Sequence, residues 1–158
     1  MHESTAAVVT SSSHHDRVHR IEVRIKPEVG DPRVDALLRV ANDLPDGIRP
    51  REIRRADVYL LTGAFETGHL EHIAESLLAD PSTQSVDHGA STGLPESTTV
   101  EVHPLPGVTD PAAQSVQVAV RSMLNIEVQV RTGERFDLVG LDRSAAADFA
   151  GRLLANPV

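Results

Sequence analysis

The sequence predicts an α+β fold: a tandem duplication of one β-α-β-β-α unit, closing on itself as an intrachain pseudo-dimer with antiparallel sheets covered by helices. Three observations carry this. First, the chain repeats itself. Ile21–Pro32 reads IEVRIKPEVGDP and Val100–Pro111 reads VEVHPLPGVTDP, with Glu22/Glu101, Val23/Val102, Pro27/Pro106, Val29/Val108, Asp31/Asp110 and Pro32/Pro111 identical at an offset of 79. Arg54, Leu61 and Gly63 match Arg131, Leu138 and Gly140 at 77, and Leu77–Pro81 matches Leu153–Pro157 at 76, with Asp80 replaced by Asn156. Second, hydrophobic period 2 gives way to period 3.6 in the same order in both copies. Third, an Asp-Pro pair opens the first helix of each copy, an N-cap followed by proline at the first helical position. Two copies are too few for a solenoid but suit a fused pair that buries its own symmetric interface.

The elements follow in order. Residues 1–18 are rich in Ser, Thr and His and read as a disordered tail. Repeat 1 covers 19–86. Ile21, Val23 and Ile25 alternate as a half-buried strand that Pro27 ends, placing Glu22 on the face opposite the core. Val34, Leu37, Leu38, Ala41 and Leu44 form an apolar helical stripe closed by Pro45-Asp46-Gly47. Residues 51–62 are read as two strands around a tight turn at Arg55–Asp57. Leu70, Ile73, Ala74, Leu77 and Leu78 mark a second helix, and Ser82–Val86 a possible terminal strand. Residues 87–98 are a linker without period. Repeat 2 covers 99–158, with strands at Val100–Val102 and Ile126–Val130, a turn at Thr132–Glu134, a strand through Phe136 and Leu138, and helices capped by Asp110 and Asp142. Whether the two units stack face to face or join edges is left open by the pattern.

Composition narrows the function. A net charge of -8 argues against nucleic acid and anionic membranes as partners. Four aromatics, Tyr59, Phe65, Phe136 and Phe149, are too few for base-stacking platforms. No cysteine is present, so thiol chemistry is excluded. Without a signal peptide or an apolar run of membrane-spanning length, a cytoplasmic protein is expected.

Catalytic chemistry is sparse. His2, His14, His15 and His19 read as a solvated tail rather than a metal site. His69 and His72 share a helical face but lack a third ligand. Asp31 and Asp110 read as caps, and their carboxylates compete with any phosphate for the amides near Gly30 and Gly107. No catalytic, cofactor-binding or metal-binding residue is assigned. The arginines Arg54 and Arg55 of the first copy, and Arg131, Gly133 and Arg135 of the second, are the candidate partner interface, since arginine is favoured at protein contacts.

These residues carry a resemblance. Leu105–Pro111 (LPGVTDP), Val130–Leu138 (VRTGERFDL) and Leu153–Val158 (LLANPV), in that order, resemble the PurS family, the small subunit of phosphoribosylformylglycinamidine synthase. Lys26–Pro32, Ile53–Arg55 and Leu77–Pro81 form a looser copy. The resemblance implies a non-catalytic subunit that dimerises and docks the synthetase and glutaminase subunits, so that ammonia from glutamine reaches the synthetase in purine biosynthesis. It implies no cofactor in this chain; ATP and Mg belong to the synthetase. A tandem repeat is what a fused, single-chain version of the enzyme needs, and these residues are expected to be the N-terminal portion of a longer synthetase chain. Two departures stand out: Glu28 replaces the motif glycine, and Arg55-Ala56 replaces the turn glycine. The competing expectation is a small-molecule-sensing regulatory α+β module.

Overall fold

The computed structural model describes residues 17–45 and 47–155; the expectations for residues 1–16 and for Asp46 and Asn156–Val158 lie outside them. Along the chain run β1 (Val18–Ile25), α1 (Pro32–Asp43), β2 (Glu52–Gly63), α2 (His69–Ile73, continued by a π-helical turn Ala74–Leu78), β3 (Gln84–His88), β4 (Ser97–Val102), α3 (Pro111–Leu124), β5 (Val128–Val139) and α4 (Arg143–Phe149, continued by a π-helical turn Ala150–Leu154). The strands form one antiparallel sheet in the order β3-β1-β2-β5-β4. The strands of the two halves of the chain therefore lie edge to edge in one sheet rather than in two stacked sheets.

The two expected hairpins are not formed. Each is one continuous twelve-residue strand, and β2 and β5 pair along their whole length from Glu52↔Val139 to Gly63↔Val128. A turn at Gly133 would require positive φ, which Gly133 does not adopt. Running straight gives both long strands a partner in the other half of the chain, which satisfies more backbone groups than two local hairpins would. The register is matched between halves. Asp57 lies opposite Glu134, 77 positions away, the same offset that relates Arg54 to Arg131. Val18↔Thr62 in β1–β2 and Ser97↔Val139 in β4–β5 are likewise related by 79 and 77.

The helices cover one face of the sheet in two clusters, each drawing on both halves. One joins Ile21, Val23, Leu61 and Ile73 to Val116, Val120, Val128 and Val130. The other joins Ala41 and Ile53 to Phe136, Leu138, Ala146 and Phe149. The first helix of each half thus shares a core with the second helix of the other half.

The caps form as the sequence predicts. Asp31 accepts from Arg33 N, Asp110 from Ala113 N and Asp142 from Ala145 N, all at 2.8–2.9 Å. Asp110 does more, because its other carboxylate oxygen accepts from Thr132 N at 3.1 Å and Thr132 Oγ1 at 2.9 Å. It thereby ties α3 to the stretch of β5 that extends past the end of β4. Asp142→Ala should cost about 1 kcal/mol in denaturant unfolding, and Asp110→Ala about 2 kcal/mol, because two further bonds go with the cap.

The loops before α1 and α3 differ, as the Glu28 departure implies. Positive φ falls on Gly30 in the first and on Gly107 in the second, positions that are not equivalent in the repeat.

Candidate functional site

The expected linker is not a free tether. Its ends belong to β3 and β4, which lie at opposite edges of the sheet, so residues 89–96 must cross the intervening strands. Four strand spacings make about 19 Å, and eight extended residues reach about 26 Å. The segment is therefore long enough to cross the face that carries no helices, and it ends in a turn in which Ser97 N donates to Leu94 O. Beneath it lies a network of charges.

Strand alternation places Arg20, Glu22 and Arg24 of β1, Arg54 of β2, Arg135 and Asp137 of β5, and Thr99 and Glu101 of β4 on this face. Glu22 was expected on an open face; it and Asp137 are instead fully buried, and Arg135 and Arg24 are only 4% and 8% exposed. The crossing segment is the reason. Ser91 Oγ donates to Glu22 Oε2 at 2.7 Å, Arg135 Nη1 donates to Ser91 O at 2.8 Å, and Arg54 Nη2 donates to Thr92 O at 2.6 Å. Arg24 bonds both Glu22 and Ser91.

Burial alone would raise the Glu22 pKa, but hydrogen bonds from Ser91, Arg20 and Arg135 outweigh it and bring it down to about 2. Asp137 is lowered in the same way: burial opposes ionisation, and Arg54, Thr99 and Arg135 overcome it. Arg24 shifts down, first through burial and then, despite the Glu22 charge, through repulsion from Arg54 and Arg135. Its Nη1 is buried without a hydrogen-bond partner.

The opposite face has a smaller polar seam between the two apolar clusters. Arg55 Nε donates to Glu134 Oε1 at 2.8 Å and also bonds Asp57, its neighbour on the same strand. Arg33 reaches Glu134 from α1. Asp57 is raised by burial, and the Glu134 carboxylate adds to that rise against the pull of Arg55.

The five candidate interface residues thus separate. Arg54 donates from Nε and Nη2 to Asp137 Oδ2 at 3.0 and 2.7 Å, and Arg135 bonds the other oxygen of the same carboxylate, so these two meet. Arg55 lies on the opposite face in the seam. Gly133 is a mid-strand residue opposite Val58. The His103 ring lies against it, with a Cβ at this position falling 2.3 Å from Nδ1. That ring bridges Glu101 Oε2 at 3.0 Å and Thr132 O at 3.2 Å. Arg131 is exposed and lines a groove of ≈ 450 Å³ with Leu60, Pro104, Leu105, Val108 and Asp110. A matching groove in the first half is lined by Arg24, Lys26, Pro27, Asp31 and Arg54. His69 and His72 are engaged locally, with Glu66 N and Ser76 Oγ. Among the described residues no group of three or more His, Cys, Asp or Glu is placed to hold a metal, and no helix is long and apolar enough to cross a membrane.

Sequence reasoning missed Glu22, Arg24, Ser91 and Asp137 as one unit. The available signal was the glutamate kept at the same strand position in both copies, read there as an outward residue.

The class this defines is a two-layer α+β module: one antiparallel sheet, four helices on one face and ion pairs under a crossing segment on the other. Residues 97–158 match the PurS family model, described as Phosphoribosylformylglycinamidine (FGAM) synthase. The second half of the chain, residues 97–158, is thus a PurS-type domain related to FGAM synthase. A role in FGAM synthase and purine biosynthesis follows from that domain. No curated protein and no solved structure matches the chain.

Proposed function

We propose that this chain is a duplicated PurS-like unit folded as an intrachain pseudo-dimer, and that it serves as a non-catalytic assembly module of FGAM synthase. It docks the synthetase and glutaminase subunits or domains in the cytoplasm and supports transfer of glutamine-derived ammonia between them. The family match over residues 97–158 carries this reading. The duplication is supported by the register, in which equivalent residues Asp57 and Glu134 face each other at the centre of the sheet. It is supported again by the exchange of helices between the two apolar clusters.

Within this reading, Arg54, Arg55 and Arg135 stiffen the module, since their guanidinium groups are held by carboxylates of the same chain. Arg131, exposed above its groove, is the arginine available to a partner, and Gly133, lacking a Cβ, leaves room for the His103 ring. ATP and Mg are bound by the synthetase. The chain should co-elute with the synthetase and glutaminase subunits. Arg131→Glu should weaken that complex about tenfold, a loss of about 1.4 kcal/mol, with the thermal midpoint of the free chain unchanged. An unchanged complex would remove Arg131 from the interface, and no complex at all would refute the assembly role.

A further inference from the structure

We propose that the groove between the end of β1 and the start of β2 is a binding site for a phosphate group, held by Arg24, Lys26 and Arg54. The site stands apart from the assembly reading above, and neither depends on the other. Its shape follows from the strand lengths. Pairing of β1 with β2 stops at Val23↔Asp57, whereas β2 begins five residues earlier at Glu52. The chain leaves β1 through Lys26 and Pro27 toward α1, and a groove of ≈ 430 Å³ opens beside the unpaired start of β2.

The residues bordering this groove hold donors that the protein does not use up. Arg24 is 8% exposed. Its Nη2 bonds Glu22 and Ser91, and its Nε lies 3.4 Å from Asp87 Oδ2, but its Nη1 is buried with no acceptor. A buried donor left without an acceptor costs free energy that a bound acceptor would recover. Lys26 Nζ donates to the Pro81 and Ser82 carbonyls at 2.7 and 3.5 Å, which are neutral, so no ion pair cancels its charge among the described residues. Arg54 spends Nε and Nη2 on Asp137 and the Thr92 carbonyl, which leaves Nη1. Ser85, opposite Arg24 on β3, brings a hydroxyl to the rim. The amides at the start of α1 take no part, because Asp31 already accepts from Arg33 N.

Charge specifies the ligand. Under the crossing segment the fully buried carboxylates Glu22 and Asp137 face three guanidinium groups, those of Arg24, Arg54 and Arg135. Arg20 is matched by Glu101. The remaining counter-charge is Asp87, whose half-exposed carboxylate is screened by water. Burial, and then repulsion from Arg54 and Arg135 against the pull of Glu22, lowers the Arg24 pKa. Of the other carboxylates on the groove, Asp31 lies 3.6 Å from Arg55 and Glu52 is exposed at its mouth. An anion seated beside Arg24 and Lys26 supplies the missing negative charge. Guanidinium forks with a lysine point charge and a hydroxyl suit the several acceptor oxygens of a phosphate better than a lone carboxylate. The second half serves as an internal control. At the offset of 79 the counterparts of Arg24 and Lys26 are His103 and Leu105, so of the three cations only Arg54 keeps one of its own kind, Arg131.

Titration calorimetry of the full chain with inorganic phosphate and with glycerol 3-phosphate, at fixed ionic strength, tests this. Expected is saturable binding at one site that Arg24→Met and Lys26→Ala each weaken at least about tenfold, while Arg131→Ala leaves it unchanged. If Arg24→Met does not fold, Lys26→Ala decides. Glycerol 3-phosphate binding at least as tightly as inorganic phosphate assigns the site to a phosphate ester, and weaker or absent binding of the ester assigns it to the free ion; either result supports the site. Four results overturn it: no saturable binding of either probe, binding that survives Lys26→Ala, binding lost in Arg131→Ala, or acetate binding as tightly as phosphate. Each of these leaves the assembly reading standing.

Discussion

Glu22→Ala is expected to cost about 3–5 kcal/mol of folding stability, the range for breaking a buried ion pair from one side. The equivalent change in the other half, Glu101→Ala, is expected to cost less than about 1 kcal/mol, because that carboxylate is partly exposed. Removing Glu22 leaves Arg24 and Arg135 facing each other under residues 89–96, with only Asp137 and the half-exposed Asp87 to offset them. The same group sets the acid response. Its folded pKa of about 2 lies below the ordinary 4.5, so the folded chain binds fewer protons there than the unfolded one. Its contribution is complete above about pH 4.5 and is lost as pH falls toward 2. Urea midpoints measured across that window should fall steeply for the parent chain and less steeply for Glu22→Ala. Equal slopes would mean that Glu22 is not the buried anion of the network.

The second large effect concerns cooperativity. Phe149 is fully buried in the cluster of α1 and α4, and Phe149→Ala should cost about 3–5 kcal/mol. Tyr59, the single tyrosine in a chain without tryptophan, packs against the other cluster. Because β2 and β5 each run through both clusters, the clusters should melt together. Tyr59 fluorescence should therefore shift to the same lower urea midpoint as the far-ultraviolet circular dichroism. A Tyr59 midpoint unmoved by Phe149→Ala would show two independent units.

The parts of this fold that were legible in the sequence are those fixed by local chemistry. Asp31, Asp110 and Asp142 cap the helices that their positions announced, and Ile21, Val23, Ile73 and Phe149 are core residues as their periods required. The long strands were not legible, because Arg55-Ala56-Asp57 and Thr132-Gly133-Glu134 carry turn-forming residues whose behaviour depends on a distant partner strand. Ala56 pairs with Arg135 and Gly133 with Val58, and the missing Cβ at Gly133 makes room for the His103 ring. The candidate site was legible only as a set of arginines. Which of them face a partner depends on residues 89–96 covering one face of the sheet, and that segment has no hydrophobic period to reveal its course. Arg135 and Arg131 sit four residues apart on one strand, yet one is sealed in and the other exposed.

The assembly role is tested most directly by FGAM synthase turnover measured with glutamine and with ammonia as the nitrogen source, with this chain present and absent. Loss of glutamine-dependent turnover without the chain, with ammonia-dependent turnover retained, is the predicted result. Glutamine-dependent turnover that survives its removal would contradict it.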